Sequence, residues 1–248
     1  MQACHFDLSG RTVLVTGASS GIGHHFARVL AARRAERLEA LRAAIEADGG
    51  SAFGVAMDVA DEASVIAAFD AGERAFGAID SVVANAGIAR PGAALDLSVA
   101  DFDATIATNL RGAFLTAREG ARRRIANAAP QREHGRIVLI SSITAQDVTA
   151  QMSAYSASKA AVVQLGRVLA KEWANQGVNV NVIAPGYMNS EMTQDLWEHE
   201  SGRRLVASFP RRRIMSVDAL SPHLLYLSSD ASREVTGSVF TVEDGQTL

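Results

Sequence analysis

The sequence predicts an α/β domain, with one doubly wound parallel sheet and helices on both faces. Three observations carry this. Short Val/Ile/Leu-rich runs alternate with longer stretches of helical pattern along the chain. Several of those runs are apolar throughout rather than alternating, as strands covered on both faces must be. No Pro/Ser-rich linker or internal repeat divides the 248 residues, so 1–248 is read as a single domain.

In order along the chain, strands are expected over 12–15, 52–57, 79–84, 136–140, 178–183 and 238–242. Helices are expected over 61–76, 98–127, 153–176 and 217–228. The stretch 189–213 breaks the rhythm: it is polar and carries Trp197 and Phe209. In an open α/β sheet, ligands sit beyond the carboxyl ends of the strands. A long insertion after a strand is therefore a lid-like candidate, with a plain surface helix pair as the alternative.

Composition narrows the class. Hydrophobic residues make up 48% and charged residues 21%, which excludes a disordered chain. The single cysteine, Cys4, excludes an internal disulfide framework and gives no reason to invoke an oxidising compartment. A net charge of −3 argues against nucleic acid as the main partner. The arginines at 122–124 and 211–213 are short, separate clusters, read as a solvated helix face or loop. No apolar run reaches the ~18 residues of a membrane span. Asp7 and Ser9-Gly10 interrupt any signal-peptide pattern, so a cytoplasmic location is expected. None of the six histidines forms a metal-ligand spacing, so no metal is expected, and His24-His25 are placed at the start of the first helix without a ligand role.

After the first strand comes Thr16-Gly17-Ala18-Ser19-Ser20-Gly21-Ile22-Gly23. Glycines let a backbone turn sharply and approach a pyrophosphate without a Cβ clash. The helix that follows offers free N–H groups and its positive dipole end to the anion. The strand before and the helix after are the context that gives the turn its meaning.

A second constellation is Ser142, Tyr155 and Lys159. Tyr155 and Lys159 are four apart, so on a helix they share a face. Ser142 follows the strand 136–140, at a sheet carboxyl end. A hydride reduces a carbonyl only if a proton reaches the oxygen. Tyrosine, with a pKa of about 10, needs help to act near neutrality. A nearby lysine ammonium favours the phenolate, and a serine hydroxyl can hold the carbonyl oxygen beside the phenol.

On these residues the sequence resembles the classical short-chain dehydrogenase/reductases, with similarity to 3-oxoacyl-acyl carrier protein reductases and related alcohol dehydrogenases. The likeness covers nearly the whole chain. It includes the turn Gly17 to Gly23, Asn85-Ala86-Gly87 after a central strand, and Asn109 in Asn109-Leu110-Arg111-Gly112. It also includes Ser142, the run Tyr155-Ser156-Ala157-Ser158-Lys159, and Pro185-Gly186 followed by Ser190. The resemblance implies a Rossmann-like fold and an NAD(P)-dependent oxidoreductase that moves a hydride between nicotinamide and a carbonyl or secondary alcohol. It implies Tyr155 as general acid in reduction and base in oxidation. Lys159 would bind the nicotinamide ribose and depress the Tyr155 pKa, Ser142 would orient the carbonyl, and Asn109 would hold a water linking Lys159 to solvent. Cofactor contacts would come from Gly17, Ser19, Ser20, Gly21, Ile22 and Gly23, from Asp58 and Val59 at the adenine, and from Asn85, Ala86 and Gly87. Tyr155, Lys159, Pro185, Gly186, Met188 and Ser190 would complete them. Gln146, Gln151, Tyr187 and Trp197 are candidates for the substrate pocket, which would take a small-molecule carbonyl or alcohol. A homotetramer is implied as well, and Leu110, Phe114, Val162, Leu165 and Leu169 offer apolar positions for it. The alternative is a non-catalytic dinucleotide-binding regulatory protein of the same fold, but such a protein is expected to lose the Tyr or Lys.

The choice of nicotinamide rests on the residues after the second strand, where an acid binds the ribose 2′-hydroxyl and an arginine the 2′-phosphate. The stretch 30–34 holds Arg33 and Arg34 and no acid, which favours NADP over NAD.

One stretch departs from the family. Residues 24–50 should hold a helix, a strand and a second helix, which take about 35 residues, and only 27 are present. No Gly or Pro falls within 24–48, and helix pattern runs from Phe26 through Leu30 to Ile45. The second strand is therefore expected to be missing. Either residues are left out of the sequence, which predicts an impossible Cα–Cα step within 27–34, or the deletion is real and the cofactor is bound weakly or not at all.

Overall fold

The structure, a computed structural model, describes residues 6, 8, 10–27, 30, 31, 51–127, 135–189 and 193–248. Six parallel strands form one sheet in the order β2-β1-β3-β4-β5-β6. They are β1 (Val13–Thr16), β2 (Leu30–Ala31), β3 (Ser81–Ala84), β4 (Gly135–Ile140), β5 (Val178–Pro185) and β6 (Val239–Val242). Alternate side chains leave the sheet on opposite faces. Leu14, Val82, Leu139 and Val182 join one core cluster with Phe69 and Val162. Val15, Val83, Val138 and Ile183 join the other with Leu220 and Leu227. Burial on both faces is why β3, β4 and β5 are buried at every position and largely apolar; the polar residues among them, Ser81, Arg136, Asn179 and Asn181, each donate to a backbone carbonyl.

The first face is covered by α2 (Glu62–Phe76), α4 (Gly112–Asn127) and α5 (Ser153–Trp173), the second by α1 (Gly21–Phe26) and α8 (Ser221–Ser228). Helix α2 starts where the Asp61 carboxylate accepts the Ala63 N–H, and it stops at Gly77 in the left-handed region (φ 80°). The helix expected over 98–127 is α3 (Val99–Ile106), a π-helical segment Ala107–Arg111, and α4 in direct succession. The Ser98 hydroxyl caps its start by accepting the Asp101 N–H. The helix expected over 217–228 divides into a 3-10 turn, Val217–Leu220, and α8.

Three expectations are corrected. A second strand is present: Leu30 and Ala31 pair with Val15 and Thr16. What is short is the helix before it, since α1 has six residues. Thirteen residues, 17–29, make the crossover, about the minimum that returns a strand parallel. Phe26 does close α1, but Leu30 and Ala31, which the helical pattern running on from Phe26 would place in a helix, are strand. Next, 52–57 is not a strand. A strand needs a ladder beside it, and the β2 ladder to β1 spans only two residues. Third, the arginines at 122–124 are not simply a solvated face. Arg123, its side chain 12% exposed, pairs with Glu119, Asp70 and Glu73 and lies over the Phe69 ring, tying α4 to α2. Arg122 also pairs with Glu119 but stays largely exposed, and Arg211 and Arg213 reach Asp244. The chain break expected within 27–34 lies outside the described residues, apart from Ala27, Leu30 and Ala31.

Helices α6 (Gln194–Glu198) and α7 (Glu200–Ser208) occupy the expected insertion. No described helix is long and apolar enough to cross a membrane.

Candidate active site

The site begins where β1 ends. The Thr16 hydroxyl accepts the backbone N–H groups of Asn85 (3.1 Å) and Ala86 (3.0 Å), and the Asn85 amide donates to the Thr16 carbonyl at 3.0 Å. The loop after β3 is thereby fastened to the turn after β1. That fastening explains two of the glycines. Gly17 has φ +71°, and a Cβ on it would lie 2.8 Å from Ala86 Cα. A Cβ on Gly23 would lie 2.4 Å from the Gly17 carbonyl oxygen and 2.5 Å from Asn85 Nδ2. No side chain fits between these layers.

Above them, at the carboxyl ends of the central strands, opens a cleft of about 350 Å³. Gly17, Ser19, Ser20, Gly21, Ile22, Asp58, Val59, Asn85, Ala86 and Gly87 line one part, and Pro185, Gly186 and Met188 another. Gly23 sits behind the lining, packed on Gly17 and Asn85. Arg33 and Ser190 lie outside the described residues. Met57, Ile88, Thr108, Ile140, Ser141 and Thr193 also line the cleft and were not singled out in the sequence. Thr108 and Ser141 adjoin Asn109 and Ser142, and that adjacency was the available signal.

Ser142, Tyr155 and Lys159 share the cleft wall. Ser142 follows β4 and caps a 3-10 turn, its hydroxyl accepting from the Thr144 N–H at 3.2 Å and the Thr144 hydroxyl at 3.1 Å. Tyr155 and Lys159 stand one turn apart on α5, with Lys159 Nζ 5.6 Å from the centre of the Tyr155 ring. Burial pushes the Tyr155 phenol above its ordinary pKa, a hydrogen bond to Ser142 pulls it back, and the neighbouring Tyr187 phenol adds to the rise. Lys159 is 4% exposed, and burial lowers its pKa to about 8. Its ammonium donates to the Ile140 carbonyl at 2.9 Å. Lys159 was expected to depress the Tyr155 pKa, yet burial of the phenol prevails in this arrangement.

Asn109 lies in the π-helical segment, 1% exposed. Its Oδ1 accepts the Ile88 N–H at 2.8 Å, and its Nδ2 donates to the Ile88 carbonyl and to Ser158 Oγ, both at 3.0 Å. The wider turn of a π segment changes the direction of a side chain within a continuing helix, and such segments recur at functional sites. Here it lets one amide tie the loop after β3 to α5. Ser158, whose hydroxyl also donates to the Tyr155 carbonyl at 2.6 Å, is a member of this tie that the sequence did not announce.

Among the substrate candidates, Tyr187 stacks on Phe209 (ring centres 5.7 Å apart) and meets Trp197 edge-on at 6.0 Å. Gln146 is exposed and borders a recess of about 190 Å³ that shares Ser142 with the main cleft. Gln151 is exposed at a turn with φ 65°. His25 is held by Ser221 Oγ at 2.8 Å.

A parallel sheet with a glycine-walled cleft at its carboxyl ends, and a Tyr–Lys pair beside it, defines a dinucleotide-dependent oxidoreductase. The family model for short chain dehydrogenases matches residues 11–201, and the chain belongs to that family as an NAD(P)-dependent dehydrogenase/reductase. It is 38% identical over 252 residues to D-threitol dehydrogenase of Mycolicibacterium smegmatis, covering 98% of this chain and 95% of that protein. It is 36% identical over 253 residues to gluconate 5-dehydrogenase of Gluconobacter oxydans, covering 98% and 97%. The solved gluconate 5-dehydrogenase of Burkholderia cenocepacia, in complex with NADP and tartrate, superposes with a TM-score of 0.91 at 33% identity, covering 98% of this chain and 97% of that one. The non-catalytic alternative finds no support in these likenesses.

The residues present fit the dinucleotide. The backbone layers around Gly17 and Gly23 leave a floor without side chains. The buried Lys159 lines the cleft and has three donors, of which the Ile140 carbonyl takes one.

Proposed function

We propose that the protein is an NADP-dependent dehydrogenase acting on a secondary alcohol, or the matching ketone, of a small polyol or sugar acid. The observation that carries this is the placing of Ser142, Tyr155 and Lys159 on one wall of the glycine-floored cleft. The substrate class is supported by the relatives named for D-threitol and gluconate. The preference for NADP is supported by Arg33 and Arg34 without an acid in 30–34, and by the NADP of the solved relative.

The bound nicotinamide supplies or takes the hydride. The chain's residues manage the oxygen and its proton. Tyr155, with its pKa raised, is protonated at neutral pH and gives that proton to the carbonyl oxygen in reduction. Ser142 donates a hydrogen bond to the same oxygen and fixes its direction. Lys159, charged below about pH 8, holds a positive charge beside the phenol and binds the ribose. In oxidation Tyr155 must first lose its proton, and the ammonium favours the phenolate that results. Asn109 acts through the loop after β3 and through Ser158. The Tyr187 N–H and carbonyl are taken by Gln246, the Gly186 N–H donates to the Val242 carbonyl and the Met188 carbonyl accepts from Thr193, so contacts to the carboxamide from this loop fall to the Gly186 carbonyl and the Met188 N–H. The pair α6–α7 serves as a lid within one domain. The test is cofactor reduction, followed by absorbance, over a panel of polyols and sugar acids with NADP and with NAD, and the reverse reaction with the matching ketones. Turnover of a panel member with NADP preferred is expected. A silent panel, or preference for NAD, overturns the reading.

We also place the protein in the cytoplasm as a homotetramer. Val162 and Leu169 are buried in its own core and offer nothing to a partner. Phe102, Val168 and Leu225, on α3, α5 and α8, are among the exposed large apolar side chains on the described helices and suit symmetric contacts. Light scattering at micromolar concentration is expected to give four times the chain mass, and a monomer would count against the assembly.

A further inference from the structure

Beyond β6 the chain reverses through a tight turn, 243–246. The Gln246 N–H donates to the Glu243 carbonyl at 3.0 Å, and the two central residues, Asp244 (φ 57°) and Gly245 (φ 80°), are both left-handed. An Asp-Gly pair in this conformation is the tightest way to fold a chain back on its own strand. The reversal lays the Gln246 side chain along the loop after β5. Its Oε1 accepts the Tyr187 N–H at 2.6 Å, and its Nε2 donates to the Tyr187 carbonyl at 3.0 Å. The last backbone bond of the β5–β6 edge runs from the Gly186 N–H to the Val242 carbonyl at 2.9 Å. The amide thus continues the ladder by one residue, with a side chain in place of a strand.

Two further observations show that turn and loop are fitted to each other. A Cβ on Gly186 would lie 2.4 Å from Gln246 Oε1 and 2.7 Å from Glu243 Cα. Asp244 holds Arg213 at 2.7 Å and Arg211 at 3.2 Å, on the segment that follows α7. The same segment returns to Tyr187, where the Met215 N–H donates to its carbonyl at 3.3 Å. Tyr187 lies between Gly186 and Met188, both lining the cleft, and packs on Trp197 and Phe209 from the helix-pair region.

We propose that Gln246 is a positioning residue of the substrate site: by holding both backbone groups of Tyr187 it fixes the phenol, backed by the buried Phe209 ring and flanked by Trp197, as the wall that orients a small polyol or sugar acid. The inference rests on the substrate class given above. The Tyr187 phenol is close enough to Tyr155 to add to the rise in its pKa that burial causes, so the two phenols are neighbours. Among the described residues the Tyr187 hydroxyl meets Thr149 Oγ1 at 3.4 Å, and it is suited to a second partner of hydroxyl chemistry.

The test compares the full-length wild type with Gln246→Leu, which removes both bonds, and Gln246→Glu, which keeps an acceptor for the Tyr187 N–H. Gln246→Leu is expected to raise KM for the polyol or sugar acid about tenfold, equivalent to about 1.4 kcal/mol, with kcat and cofactor affinity near wild type. Gln246→Glu should recover part of the KM. In a Trp173→Phe background, where Trp197 is the remaining tryptophan, Gln246→Leu should also make Trp197 more accessible to acrylamide quenching. Unchanged quenching overturns the proposal. So does changed quenching with unchanged KM, which marks a brace with no bearing on substrate, and so does a fall in kcat and cofactor affinity alone. A wild type silent on the whole panel overturns the substrate reading, and this inference with it. A variant that fails while the wild type turns over overturns this inference alone.

Discussion

Tyr155→Phe is expected to lower turnover by about 10²–10⁴-fold, the usual loss when a positioned general acid is removed. The substitution takes one oxygen from the cleft wall and leaves the ring in place. The glycine floor and Lys159 are untouched, so cofactor affinity, measured by fluorescence titration, should stay near the wild-type value. The pH profile adds a second check. The Tyr155 phenol is held above its ordinary pKa by burial, and Lys159 loses its charge at about 8. Reduction by the wild type should therefore be favoured below about pH 8, where the donor is protonated and the ammonium charged. Oxidation should be favoured as the pH rises and the phenolate becomes accessible. A Tyr155→Phe enzyme with the wild-type rate at saturating substrate would show that the proton comes from another group.

Lys159→Met is expected to move activity and stability apart. Turnover should fall by about 10²-fold or more, because the charge that favours the phenolate is gone. Stability follows the opposite logic. Burial lowers the folded pKa of Lys159 from the ordinary 10.5 to about 8, so the folded protein resists the charge. Below about pH 8 the folded and unfolded chains both carry the proton, and the folded state bears the whole cost. Between about 8 and 10.5 the unfolded chain binds more protons, so stability rises with pH; above that range the cost is gone. The shift corresponds to on the order of 3 kcal/mol. Methionine removes this cost but leaves the Ile140 carbonyl without its donor, a loss of about 1–3 kcal/mol. Denaturant unfolding near pH 7 should thus find the variant equal to the wild type or slightly more stable. Its advantage should shrink by on the order of 3 kcal/mol towards pH 10.5, as the wild type recovers. A variant that is less stable by the same margin at both pH values would show that the buried ammonium carries no such cost.

Much of the site was legible because its signals are local. The turn Gly17 to Gly23 is contiguous in sequence, and Tyr155 and Lys159 are separated by one helical turn. Ser142 stands just past a strand whose apolar run is unmistakable. What escaped depends on distant partners. The run 52–57 has strand composition, but a strand exists only if a neighbour stands beside it, and the β2 ladder to β1 covers two residues. The second strand was overlooked because Val29-Leu30-Ala31-Ala32 continues a helical periodicity that nothing nearby contradicts. The π segment at Asn109 leaves the apolar pattern almost unchanged. Arg123 looked solvated because its partners Asp70 and Glu73 lie some fifty residues away. Gln146, a pocket candidate by position, lies exposed at the rim of a side recess, whereas Gln246 carried no signal at all.

The unequal ladders of the sheet have a consequence for how the molecule opens. Six residue pairs join β4 to β5, and two join β1 to β2. Local unfolding begins where few backbone bonds must break, so amide-exchange protection is expected to fall from the centre outward and to be lowest at the β2 edge. The phosphate turn and the short helix α1 adjoin that edge, and a dinucleotide held by the residues lining the cleft would touch both them and the loops after β3, β4 and β5. Ligand that binds only the closed form adds about 2.7 kcal/mol at a concentration 100 times its Kd. The ligand would therefore join the least cooperative part of the fold to the most cooperative part, and the phosphate turn is expected to hold its shape most firmly when the enzyme is loaded.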